Sequence, residues 1–192
     1  MGLIRSIEPV TPLVALLYGN EDHYEPLRAK LSELFGPVEL ESPVYAFTFT
    51  KYYEGAMGPG LKRRLLTFEW ESNPETLADW KRATNDLEEH FIEERRVGPQ
   101  RPVNIDPGYI TGGKLILAST KDFAHRIYLR DGIFAELTMY FQDGEWRSHN
   151  FTFPDFKSGV YSGFLCQARE AHLKKAHAKG SPGGDGEMAM EM

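Results

Sequence analysis

Asp106 and His125 are the residues of this 192-residue chain whose types suit proton transfer, and cations flank both of them. Asp106 lies in the run 101–110 (RPVNIDPGYI), with Asn104 and Tyr109 close enough in sequence to orient a substrate. Asp106-Pro107-Gly108 has turn chemistry, because Pro presets φ near about −65° and Gly accepts φ > 0 at the next position. With three prolines and four glycines, segment 98–113 is therefore expected to be a structured loop. In such a turn Asn104 and Asp106 have a plainer role, bonding their own backbone.

Arg101, Lys114, Lys121 and Arg126 are the candidate anion holders, since phosphate or carboxylate recognition needs converging Lys and Arg donors. From Arg95 to Arg130 there are seven basic residues (Arg95, Arg96, Arg101, Lys114, Lys121, Arg126, Arg130) and two acidic ones (Asp106, Asp122), a balance of +5. The chain as a whole is −6, so the remainder is −11. A solvated basic surface is the alternative to a site. His125 would share a strand face with Ile127 and Leu129, as a core histidine does, leaving Arg126, Tyr128 and Arg130 on the other face. In the next strand Ile133, Ala135, Leu137, Met139 and Phe141 alternate with Glu136, Thr138 and Tyr140. Glu136 is then either a ligand-binding carboxylate or the cross-strand ion partner of Arg126.

Other chemistries find less support. Asp106, His125, Glu136 and Asp155 lack metal-ligand spacing, and the sequence leaves any cofactor unknown. Thr120-Lys121-Asp122 resembles the guanine-reading [NT]KxD signature with its spacer missing, and there is no GxxxxGK[ST] phosphate loop. The aromatics Tyr45, Phe47, Phe49, Tyr52, Tyr53, Phe151, Phe153 and Phe156 suit base stacking, but suit sheet packing equally.

These residues need a scaffold, and the composition is that of an ordinary globular chain: 41% hydrophobic and 26% charged, with a pI of about 5.6. That acidic balance excludes a global basic footprint for nucleic acid or an anionic membrane. A lone Cys166 closes no intramolecular disulfide, and nothing marks a signal peptide or an apolar run near the ~18 residues of a spanning helix. A cytoplasmic protein is expected.

Residues 13–18 (LVALLY) read as a buried strand, and Asp22 with Glu25 as the start of a helix whose face is Leu27, Leu31, Leu34 and Phe35. Residues 44–50 (VYAFTFT) and 64–71 alternate as strands, the second placing Leu66, Phe68 and Trp70 on one side. Ser72 or Asn73, with Pro74 and Glu75, opens a helix with the stripe Leu77, Trp80, Thr84, Leu87 and Phe91. Residues 114–118 are a strand or a short helix. Residues 125–129, 133–141 and 146–152 form antiparallel strands turning at Arg130-Asp131-Gly132 and Gln142-Asp143-Gly144. A last helix spans about 158–177. The order fits an α+β fold, a ferredoxin-like βαββαβ core with a C-terminal antiparallel strand extension and a terminal helix. One domain is expected over residues 1–177, with a disordered acidic Gly/Met-rich tail at 178–192. Helices would cover one sheet face and leave the other to a ligand, a partner or the extension.

Several stretches together carry a resemblance: TKYYEGAMG at 50–58, RPVNIDPGYI at 101–110, KLILASTKDFAHRIYL at 114–129, GIFAELTMY at 132–140 and FTFPDF at 151–156. From about Leu13 to Leu173 the chain resembles an uncharacterised bacterial family catalogued as domain of unknown function 4416. The resemblance implies a bacterial cytoplasmic protein and little chemistry. It also leads one to expect Glu at the position of Ala56. The leading expectation is a domain that binds a small anionic ligand, phosphorylated or nucleotide-like, through loop 101–110 and segment 114–126. If it is an enzyme, Asp106 and His125 do acid/base work. Arg101, Asn104, Tyr109, Lys114, Lys121, Arg126 and Glu136 would bind the ligand. The alternative is a non-catalytic RNA- or protein-binding module using the open sheet face. Nucleic acid is the less favoured partner, and nothing points to a membrane.

Overall fold

The computed structural model describes residue 3, residues 6–94 and residues 99–178. Arg95, Arg96 and the expected tail from residue 179 onward lie outside the described residues. In chain order the elements are β1 (Thr11–Tyr18), α1 (Tyr24–Phe35), β2 (Val38–Glu41), β3 (Tyr45–Ala46), α2 (Glu54–Met57), β4 (Lys62–Phe68) and α3 (Leu77–Glu94). They continue as β5 (Val103–Ile110), β6 (Lys114–Ser119), β7 (Arg126–Arg130), β8 (Ile133–Gln142), β9 (Glu145–Ser148), α4 (Pro154–Lys157) and α5 (Ser162–Ala178). The helical turns that lead into α1 and α3 begin where a side-chain oxygen satisfies a free amide group. Asn20, rather than Asp22, starts the first helical stretch by accepting from the Asp22 amide at 3.0 Å. Asn73 accepts from the Glu75 amide at 2.9 Å, with Pro74 following it. The α3 stripe is as its spacing predicts: Leu77, Trp80, Thr84 and Phe91 are buried and Leu87 packs partly.

Among the described residues all nine strands join one antiparallel sheet, in the order β2-β4-β1-β5-β6-β8-β7, with β3 also pairing β4 and β9 also pairing β8. Every residue of the central strand β1 is buried, because both faces of the sheet are covered. On one face Val14, Leu16, Leu66, Phe68 and Ile105 pack with Leu27, Leu31 and Phe35 of α1 and Trp80 and Phe91 of α3. On the other, Leu13, Ala15, Leu65, Leu115 and Leu117 pack with Phe156 of α4 and Phe164, Leu165 and Ala168 of α5. Of the ligand, partner or extension expected on the second face, it is the extension, the chain's own α4 and α5, that packs there. Among the described residues no helix is long and apolar enough to cross a membrane.

Several local expectations are overturned. The expected loop 101–110 is strand β5, and Asn104, Asp106 and Tyr109 do not share a turn. Gly108 is needed not for a positive φ but for close approach, since a Cβ there would stand 2.0 Å from the Ile116 carbonyl oxygen of β6. Pro107 is tolerated because β6 pairs with β5 only from Gly108 onward, so Pro107 has a strand neighbour on one side alone. Pro12 is excused similarly, as β4 pairing begins at Leu13. Of residues 44–50 only Tyr45–Ala46 pair with β4, at Arg63 and Lys62, where β4 itself begins. Phe47 and Phe49 then leave the sheet. Trp70 does not continue the Leu66/Phe68 face and is exposed.

The hairpin turns hold. Asp131-Gly132 and Asp143-Gly144 each sit at positive φ, the two-residue geometry that suits the twist of flanking strands. The alternation of β8 does not hold throughout. β6 residues Leu115 and Ile116 face Met139 and Leu137, so Thr138 is an extra residue, a bulge. It moves Met139 to the α5 face, while Ile133 and Ala135 stay on the α3 face and Leu137 is left exposed. On β7 the buried residue is Arg126, whereas Ile127, Tyr128 and Leu129 face outward, so no core face forms around His125.

One buried titratable group links the terminal helix to β1. His172 of α5 lies 3.1 Å through Nδ1 from the Thr11 hydroxyl. Burial holds its pKa below the ordinary 6.5, against the pull of Glu71, Glu39 and Glu8 and with some help from Lys175. The unfolded chain then takes up a proton near 6.5 while the folded chain resists it. Stability is thus complete above that value and falls as the pH drops toward the depressed folded value. His172→Gln should flatten the slope of unfolding free energy against pH just below 6.5. An unchanged slope in urea titrations across that window would refute the assignment.

Candidate functional site

β5 and β6 pair only from Ile110 opposite Leu115 back to Gly108 opposite Leu117, and beyond that last pair the strands part. Helix α3 does there what a neighbouring strand would otherwise do. The Ile105 amide donates to Glu88 Oε1 at 2.7 Å, and Lys81 Nζ donates to the Ile105 carbonyl at 2.7 Å. Both side chains are almost wholly buried. The gap opens into a cleft of about 370 Å³ bounded by β4, β5, β6, β8, α4 and the segment between β3 and β4.

Strand alternation decides which residues face it. Arg63 of β4 and Asn104 and Asp106 of β5 point to the sheet side of α4 and α5, opposite to Leu66, Val103 and Ile105. There they form one charged cluster. The Arg63 guanidinium lies 3.6 Å from Asp106 Oδ2 and 3.4 Å from Asp155 Oδ2, and Lys81 Nζ lies 3.5 Å from Asp106 Oδ1. Asn104 Nδ2 donates to Asp106 Oδ2 at 2.6 Å, and the Tyr161 hydroxyl donates to Asp155 at 3.1 Å. Arg101 donates to Glu88 Oε2 from Nε at 3.0 Å and from Nη2 at 2.5 Å.

The opposite wall is the expected cross-strand pair. Arg126 and Glu136 are register partners on β7 and β8, and Glu136 Oε2 accepts from Arg126 Nε at 2.9 Å, with Nη2 at 2.8 Å. Arg126 Nη1 donates to the Lys121 carbonyl at 3.0 Å. Aromatic rings complete the enclosure: Phe47, Phe49, Tyr52 and Tyr53 on one side, Phe123 and Phe153 on the other. Phe47 sits 5.2 Å from the Arg63 guanidinium and Phe123 sits 4.9 Å from that of Arg126. Lys121 Nζ reaches the Tyr52 hydroxyl at 3.3 Å across the rim.

Burial opposes ionisation of Asp106, but Lys81, Arg63 and the Asn104 amide outweigh it and hold the carboxyl below the ordinary range. For Glu88 burial wins, and its pKa rises despite Lys81, Arg101 and the Ile105 amide. The Arg63 guanidinium is favoured in its charged form because Asp155 and Asp106 outweigh the cost of burying it. A carboxylate stabilised as Asp106 is makes a poor proton acceptor and a good anchor.

Of the residues singled out from the sequence, Arg101, Asn104, Asp106, Lys121, Arg126 and Glu136 line this one cleft. His125 stands behind the wall, 3.3 Å through Nε2 from Glu136 Oε2, with its ring stacked 4.9 Å from Phe151. Tyr109 and Lys114 are not among the lining residues. Tyr109 alternates onto the α3 face, and Lys114 lies exposed at the far end of β6. Ala56 packs against the Leu17, Phe47, Met57 and Leu61 cluster, and its carbonyl accepts from the Arg101 amide at 3.0 Å.

From the sequence, Arg63 and Lys81 are not singled out, and Asp155 is weighed only as a metal ligand with Asp106, His125 and Glu136. A signal existed for Lys81: with Leu77, Thr84, Glu88 and Phe91 it repeats at four- and three-residue steps, which places Lys and Glu on a buried helix face. A charge on such a face needs a partner inside the fold. Nothing comparable marks Arg63, which is one of three consecutive basic residues. Among the described residues no group of three or more His, Cys, Asp or Glu side chains is arranged to hold a metal ion. A family model described as "Domain of unknown function (DUF4416)" matches residues 8–172. No curated protein and no solved structure matches.

Proposed function

The chain belongs to the DUF4416 family, and we propose that this member binds a small anionic ligand, phosphorylated or nucleotide-like, in the cleft between β5 and β6. The observation that carries the reading is Arg63. Its side chain is 5% exposed, it lines the cleft, its Nε has no hydrogen-bond acceptor, and its Nη1 is held only by the 3.6 Å ion contact with Asp106 Oδ2. A buried guanidinium with unused donors leaves a place for acceptor oxygens. The charge balance agrees, with Arg63, Lys81, Arg101, Lys121 and Arg126 lining the cleft against Asp106, Asp155 and Glu136, although Arg101 is also paired with Glu88 behind the wall. Asp106 acts here as an anchor that holds Arg63 and Lys81 in place rather than as a base. His125 acts through Glu136. The strand order β2-β4-β1-β5, with α1 and α3 as crossovers, supports the ferredoxin-like reading of that half of the sheet. A bacterial, cytoplasmic setting goes with this reading.

Thermal unfolding with a panel of phosphorylated compounds tests it, because a ligand at a hundred times its Kd stabilises by about 2.7 kcal/mol. The expected result is a shift that shrinks as salt rises. Lys121→Ala, an exposed rim residue, should weaken binding about three- to tenfold. No shift with any phosphorylated compound at millimolar concentration would overturn the proposal.

A further inference from the structure

We propose that the ligand is a mononucleotide whose base carries an amino group, with Glu136 as the acceptor for that group. This rests on the anionic-ligand reading above and names the rest of the molecule. Glu136 lines the cleft and is 3% exposed. Its two oxygens are used unequally. Oε2 takes Arg126 Nε, Arg126 Nη2 and His125 Nε2, while Oε1 is buried without any donor. Arg126 has no spare reach toward it, since Nη1 is committed to the Lys121 carbonyl.

A carboxylate paired with a guanidinium only accepts hydrogen bonds, so Oε1 needs an N–H or O–H from outside the protein. An unfilled acceptor at this depth costs its desolvation, which a ligand donor would return. The charge of Glu136 is already balanced by Arg126, so a neutral amino group suits Oε1 better than an ammonium ion. What surrounds this corner is aromatic. Phe123 and Phe153 lie 4.9 and 6.0 Å from the Arg126 guanidinium, and Phe49 and Tyr52 line the same cleft. Such walls suit a flat heteroaromatic ring. An anion at Arg63, a π-system between the walls and an amino donor at Glu136 together describe an aminated nucleotide. The cleft volume of about 370 Å³ is within the range of small-molecule sites.

Calorimetric titration of the full chain tests this with ribose phosphate, with adenosine, guanosine and inosine monophosphates, and with cytidine and uridine monophosphates. Inosine and uridine supply rings without the amino group. At least one aminated compound should bind about tenfold or more tighter than its amino-free counterpart. In Glu136→Gln that ratio should fall at least threefold. If the variant does not fold, the wild-type ratios alone decide. Binding of ribose phosphate and of all the nucleotides within about threefold of one another would overturn this inference and leave the anionic site standing. An unchanged ratio in folded Glu136→Gln would overturn it as well. Failure of every compound, ribose phosphate included, would remove both.

Discussion

Replacing Arg63 with methionine should lower the free energy of unfolding by about 3–5 kcal/mol, the usual consequence of stranding a buried charge. Asp155 is the charge stranded. Its side chain is 3% exposed, and after the substitution only the Tyr161 hydroxyl would still reach its carboxylate among the described residues. Asp106 suffers less, because Lys81 and Asn104 still hold it. Urea denaturation of Arg63→Met, Asp155→Asn and the double variant separates the pair from its surroundings. The double variant should be more stable than the sum of the two losses implies, since methionine beside a neutral amide strands nothing. A loss below about 1 kcal/mol in Arg63→Met would mean that water or another cation reaches Asp155, and the cluster would not be the rigid anchor described here. The same variant should bind no phosphorylated ligand at concentrations that saturate the native chain.

Gly108→Ala is expected to cost about 3 kcal/mol or more, at the upper end for added volume in a packed interior. The obstacle is backbone, which cannot rotate away: the new Cβ would meet the Ile116 carbonyl oxygen at 2.0 Å and Leu117 Cδ2 at 2.7 Å. Gly108 opposite Leu117 is also the last pair before β5 and β6 part, so the strain falls at the head of the cleft. Ligand affinity should fall together with stability. Gly55→Ala in α2 is the matched control. It has open space around its Cβ, and it should be neutral or stabilising by up to about 1 kcal/mol. Equal melting temperatures for the two variants would show that β6 does not approach β5 as closely as described.

Much of the scaffold was legible because it is local. The α3 stripe, the Asn73-Pro74-Glu75 start and the two Asp-Gly hairpins each depend on residues within one or two turns of chain. The Arg126–Glu136 pair was legible only as a meeting of adjoining strands, since the two-residue hairpin alone would set Arg126 opposite Leu137 and a register shift between Tyr128 and Arg130 brings Glu136 there instead. Asp106-Pro107-Gly108 misled because its residues favour a turn only when nothing else engages them. Eight register pairs with β1 override that preference, and the close passage of β6 gives the glycine its purpose. Expecting strict alternation along β8 failed at Thr138, where one extra residue reverses the faces.

By itself, then, the sequence determined the periodic elements, their caps and turns, the acidic overall balance, and a stretch in which cations and an aspartate gather. The tertiary structure alone decided that Arg63, Lys81, Asp106 and Asp155 meet, although they come from four elements spread over more than ninety residues. It also decided that α4 and α5 cover the second sheet face and leave a cleft at its end. The physical reason is range. Hydrophobic period and turn chemistry act between neighbours in the chain. Which buried charges face one another depends on strand order and on where two strands cease to pair, and no short window of residues carries that information.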